Sequence, residues 1–79
     1  MHLTEDEQIV LKSSYYFTVG NMVDASKAFK ETGLSRIRYQ DAVRRLRQVG
    51  FVITTPALYQ EFIVLYLSDK ALEWIHENC

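Results

Sequence analysis

The sequence predicts a mainly α-helical domain with one small β-hairpin, an α+β fold in the order α-α-α-β-β-α. Three observations lead there. Up to Gly50, apolar side chains recur at helical spacing, interrupted at Gly20 and Gly33. After Gly50 the period changes, and Phe51 to Thr55 and Phe62 to Leu67 are rich in β-branched and aromatic residues, as strands are. Beyond Ser68 the spacing is helical again. The 79 residues suffice for a single domain, 1–79. A chain of this size buries only about 60% of its unfolded surface, so its core is thin.

The first helix starts at Thr4, because Thr4 and Glu7 have capping-box spacing and Glu5, Asp6 and Glu7 sit where the helix dipole favours acids. Ile9, Val10, Ser13 and Phe17 follow at helical spacing, and the helix is expected to run to about Tyr16 and fray before Gly20. A second, short helix is expected over Met22 to Glu31, with Ala25, Ala28 and Phe29 inward and Gly33 just past its end. The third, about 35–49, has the clearest signals. Ser35 is a natural N-cap, Tyr39, Ala42, Val43, Leu46 and Val49 form an apolar stripe, and Gly50 ends it. The two strands are joined by a loop from Pro56 to Glu61. Ser68 caps a last helix, Asp69 to about Glu77, with Ala71, Leu72 and Ile75 facing in.

The formal net charge is only −1, but it is unevenly distributed. Between Lys27 and Arg47 lie seven positive side chains and two acids, whereas the rest of the chain has two lysines and eight acids. All five arginines fall between Arg36 and Arg47. One basic face on an acidic body has this signature.

Two helices meeting at a glycine-containing turn, followed by a hairpin, make a helix-turn-helix with a wing. Three stretches carry a family resemblance. Ala28-Phe29-Lys30-Glu31-Thr32-Gly33-Leu34-Ser35 resembles the turn of winged helix-turn-helix regulators. Val43-Arg44-Arg45-Leu46-Arg47-Gln48-Val49-Gly50-Phe51-Val52 resembles their exit from the recognition helix, and Leu65 to Leu72 the approach to their last helix. The resemblance is to MarR/ArsR-type winged helices broadly and covers roughly residues 4 to 77. It implies a sequence-specific regulator of transcription that binds double-stranded DNA through the third helix. The wing of this family usually carries Arg or Lys for the minor groove. The loop from Pro56 to Glu61 has no basic residue and one acid, so minor-groove reading by this wing is not expected. MarR-type dimers form through long extra helices, for which 79 residues leave no room.

On a helical wheel of about 100° per residue, an inward apolar stripe leaves Ile37, Asp41, Arg44 and Gln48 pointing outward. Base edges in the major groove are read best from the N-terminal turns of a helix. Arg36, Ile37, Arg38, Gln40 and Asp41 are therefore the candidate base contacts. Arg suits guanine, Gln suits adenine, Ile suits the thymine methyl, and Asp suits cytosine or a neighbouring arginine. Arg44, Arg45 and Arg47, with Ser35 and with Lys27 and Lys30 on the preceding helix, are the candidate phosphate contacts. The alternative for the arginines is a solvated helix face.

A second functional class stays open, a winged-helix protein-interaction module without DNA binding. It would suit the loop without basic residues and the apolar and aromatic side chains Tyr15, Tyr16, Leu58, Tyr59 and Trp74, which are candidates for a protein partner or a homodimer through the first and last helices. Catalysis lacks support. One cysteine, Cys79, and two distant histidines make neither a metal cluster nor a nucleophile pair, and no glycine-rich phosphate loop occurs, so no cofactor is expected. The longest strictly apolar run, Phe62 to Leu67, is far short of the ~20 residues that span a bilayer. With no pairing for Cys79 and no leader-like start, a cytoplasmic protein is expected.

Overall fold

The structure, a computed structural model, describes residues 2–56 and 61–79. It is α+β, and its principal elements follow the predicted order of three helices, a hairpin and a last helix.

Helix α1 spans Glu5–Tyr16. Its start is the expected capping box: the Glu7 amide donates to Thr4 Oγ1 and the Thr4 amide to Glu7 Oε1, each at 3.2 Å. Val10 and Ser13 are buried and Phe17 packs against the core, as the spacing suggests, joined by Leu11 and Ser14, while Ile9 is only half-buried.

After α1 the chain forms a hairpin that was not predicted. Strand β1 (Thr18–Val19) pairs antiparallel with β2 (Met22–Val23) around a two-residue turn, Gly20-Asn21, with Gly20 at φ 65°. A positive φ at the first turn position matches the twist of a tight hairpin, and glycine reaches it without steric cost. The Asp24 amide extends the pairing by donating to the Phe17 carbonyl at 2.9 Å. Met22 and Val23 are thus strand residues, and the predicted second helix loses its first three positions. Helix α2 runs Ala25–Thr32, capped by Asp24, whose carboxylate accepts from the Lys27 amide. Only Ala28 is fully buried in it, with Ala25 and Phe29 half-buried. Gly33 follows at φ 70°.

Helix α3 spans Arg36–Gln48, with Ser35 as its N-cap accepting from the Arg38 amide. Tyr39, Ala42, Val43 and Leu46 point into the core, as expected, and Val49 is half-buried at the C-cap. Gly50, at φ 82°, turns the chain into β3 (Val52–Thr54), which pairs antiparallel with β4 (Val64–Leu67). The register has Val52 opposite Leu67 and Ile53 opposite Tyr66, then skips Leu65 to place Thr54 opposite Val64. The second strand is shorter than predicted because Phe62 is held elsewhere. Its amide donates to Gln40 Oε1 at 2.8 Å, and its carbonyl accepts from Gln40 Nε2 at 3.0 Å. Leu58 and Tyr59 lie outside the described residues.

Helix α4 spans Asp69–Asn78 behind the Ser68 cap. Lys70 Nζ donates to the Val49 carbonyl at 2.8 Å, placing a cation at the C-terminus of α3, where the helix dipole favours it. The core lies where α1, α2 and α3 meet and is closed by Phe51, Val52, Val64, Ala71 and Ile75. No helix among the described residues is long and apolar enough to cross a membrane.

Candidate nucleic-acid interface

Helix α3 buries one side and presents the other to solvent, so the exposed residues follow from its phase. Ile37 is 82% exposed, and it stands between Arg36 and Arg38 in the first turn. Asp41, Arg44 and Gln48 continue the outer stripe, while Arg45 lies on the flank facing α1. Lys27 and Lys30 are exposed on α2.

Most of these arginines have carboxylate partners, several from distant parts of the chain. Arg38 makes a two-bonded pair with Asp6 of α1, Nε to Oδ2 at 3.0 Å and one terminal nitrogen to Oδ1 at 2.6 Å. Arg36 pairs with Glu61 at 3.0 Å. Asp41 bridges Arg44 and Arg45 from within the helix, the i, i+3 and i, i+4 spacings that meet on a helix surface. Arg45 Nε also faces Glu7 at 3.6 Å, beyond hydrogen-bond reach. Arg47 has no carboxylate within ion-pair distance among the described residues; its guanidinium lies 5.0 Å from the centre of the Phe62 ring. Arg36 lies 5.6 Å from the Phe29 ring centre in the same manner.

The pairing shows in the titration of the acids. The hydrogen-bonded Arg38 guanidinium holds the Asp6 carboxyl below its ordinary value of 3.8, and Arg38 is raised in turn. Arg44 first, then Arg45, do the same to Asp41. Tyr39, at the root of the site, is pushed up to about 12 because burial disfavours the phenolate.

The candidate base contacts are therefore placed unequally. Arg36, Ile37 and Arg38 stand at the exposed start of α3, and Asp41 lies one turn on, between two arginines. The Gln40 amide is engaged on both its oxygen and its nitrogen by the Phe62 backbone. Of the candidate phosphate contacts, Lys27, Lys30, Arg44 and Arg47 are exposed, Arg45 is half-buried, and the Ser35 oxygen serves as helix cap. Asp6, Glu7, Glu61 and Phe62 were not expected at this surface. Asp6 and Glu7 read as dipole partners of their own helix, and no periodicity within α3 reveals a partner on another element.

The other candidates lie away from this face. Tyr15 and Tyr16 are 45% and 78% exposed at the end of α1, and Tyr15 meets His76 of α4 edge-on at 6.5 Å. Trp74 is half-buried against the core, and Cys79 is an exposed free thiol. Among the described residues no cluster of His, Cys, Asp or Glu could hold a metal ion. Comparison with family models, with curated proteins and with solved structures found no match.

Proposed function

We propose that this protein is a winged helix-turn-helix regulator that binds double-stranded DNA sequence-specifically, with α3 in the major groove. The observation that carries the reading is the outer face of α3. A largely solvent-exposed Ile37 sits in the first helical turn, flanked by guanidiniums, with three further arginines along the same helix. An apolar side chain between planar cations suits a thymine methyl, neighbouring base edges and their flanking phosphates. The surface ion pairs do not oppose this. Exposed pairs contribute about 0–1 kcal/mol, so arginine can exchange a carboxylate for a phosphate at small cost.

The test is binding to random-sequence duplex by fluorescence anisotropy at about 50 and 200 mM salt. Each phosphate contact contributes about 0.9 to the slope of log affinity on log salt. A steep loss of affinity is expected, after which selection from a random library defines the site. Ile37→Ala should weaken the selected site and leave random duplex unchanged, whereas Arg47→Ala should weaken both and flatten the salt slope by about one contact. Absence of binding at the lower salt would overturn the proposal.

One observation favours a second reading, a protein-interaction module. The end of α1 and the hairpin after it expose Tyr15, Tyr16, Val19 and Met22, apolar side chains on elements other than the basic helix. This reading expects a stable complex with a protein partner or a second copy, and no salt-sensitive affinity for DNA.

A further inference from the structure

The two-bonded contact between Arg38 and Asp6 uses only one edge of the guanidinium. Asp6 takes the side edge, formed by Nε and the terminal nitrogen next to it. The end edge, formed by the two terminal nitrogens, is left to solvent, and the Arg38 side chain is 62% exposed. The two terminal nitrogens of that end edge can donate in parallel to O6 and N7 of guanine. A free arginine side chain must be ordered to make such a contact, whereas a clamped one is ordered beforehand.

Asp6 is well placed to act as a clamp. Its side chain is only 20% exposed. It belongs to the first turn of α1, which the reciprocal Thr4–Glu7 bonds hold in place. It reaches Arg38 across 32 positions of the chain, so the contact depends on the packing of α1 against α3. Glu5 stands beside it in the same turn, exposed and without an arginine in ion-pair contact among the described residues.

We infer that Asp6 is a positioning residue that sets sequence specificity: it clamps the side edge of Arg38 so that the end edge reads a guanine in the major groove. This rests on the DNA-binding reading above. On DNA the Asp6–Arg38 pair stays intact, and Asp6 itself touches neither base nor phosphate. Its negative charge near the DNA backbone also disfavours binding by phosphate contacts alone. Both effects widen the gap between cognate and random sequence.

The experiment is library selection followed by anisotropy on the wild type and on Asp6→Asn, Asp6→Glu, Glu5→Gln, Arg38→Ala and the double variant Asp6→Asn/Arg38→Ala, each checked by thermal melting. At one guanine of the selected site, Asp6→Asn should lose about tenfold of the discrimination, the range a bidentate base contact provides. Arg38→Ala should lose the same preference, and the double variant should lose no more than Arg38→Ala alone. Asp6→Glu should restore part of it, and Glu5→Gln, which removes the same charge from the same turn, should leave it intact. If Asp6→Asn keeps the guanine preference that Arg38→Ala loses, or if Glu5→Gln relaxes it equally, the inference is overturned while DNA binding stands. If neither the wild type nor any variant binds duplex, the DNA-binding reading itself fails.

Discussion

A single phenol shows how residue-scale physics reaches the stability of the domain. Tyr39 of α3 is almost wholly buried, its ring meeting that of Phe29 of α2 at 4.8 Å between centres, and its hydroxyl has no hydrogen-bond partner among the described residues. Its pKa rises from 10.0 to about 12 on folding, so between these values the unfolded chain ionises first and the folded state is destabilised. The stability linked to this proton is complete below pH 10 and is lost as pH rises towards 12, by roughly 2–3 kcal/mol. Tyr39→Phe should lack this alkaline loss while remaining as stable as the wild type or slightly more so at pH 7, since it removes a buried hydroxyl with no partner. Urea unfolding at pH 7 and pH 11.5 checks it; equal alkaline losses in both proteins would refute it.

Elements were legible wherever their ends carry a chemical signal. Thr4, Ser35 and Ser68 all cap the helices expected of them, because a side-chain oxygen satisfying an orphan amide is a local event. The β1–β2 hairpin was missed although it has a signal: Gly20-Asn21 between two short strand-like pairs, with Asp24 as a helix cap beyond. Met22 and Val23 suit a helix start as well as a strand, and two-residue strands give periodicity too little length to decide. Gly33 allows a test at this scale. At φ 70° a β-carbon would meet nothing within 4 Å, so Gly33→Ala should cost only the backbone penalty of a left-handed residue. That is about 1 kcal/mol, or a fall in Tm of about 4–8 °C, measurable by thermal melting. A much larger fall would mean that the α2–α3 turn is shaped by contacts rather than by backbone conformation.

Over the whole molecule, the outward stripe of α3 could be read from a helical wheel, because Ile37, Asp41 and Arg44 need only the phase of one helix. The pairing of the arginines on its flanks could not: Glu61, Asp6 and Glu7 reach Arg36, Arg38 and Arg45 from parts of the chain that only the assembled fold brings near. The arginine-paired Asp6 and Asp41 also make the stability of the fold depend on pH at the acid end. Asp6 and Asp41 titrate below 3.8 in the folded chain, so the folded state binds fewer protons there. Their stabilisation is present above that pH and is lost as pH falls through the lowered values. Thermal melts from pH 7 to pH 2 should therefore fall less steeply below pH 4 for Asp6→Asn/Asp41→Asn than for the wild type. Parallel curves would show that neither pair stabilises the fold.

The bond pair between Gln40 and Phe62 has a mechanical consequence. A carboxamide that accepts from the N–H of one residue and donates to the C=O of the same residue behaves like an extra rung of β-ladder. It couples α3 to the loop end of the β3–β4 hairpin, just before β4, and the Arg47 guanidinium over the same Phe62 ring reinforces the joint. Helix and hairpin then act as one lever instead of two jointed arms. Whatever meets this face encounters a surface of fixed curvature, and a tilt forced on the helix is carried into the hairpin.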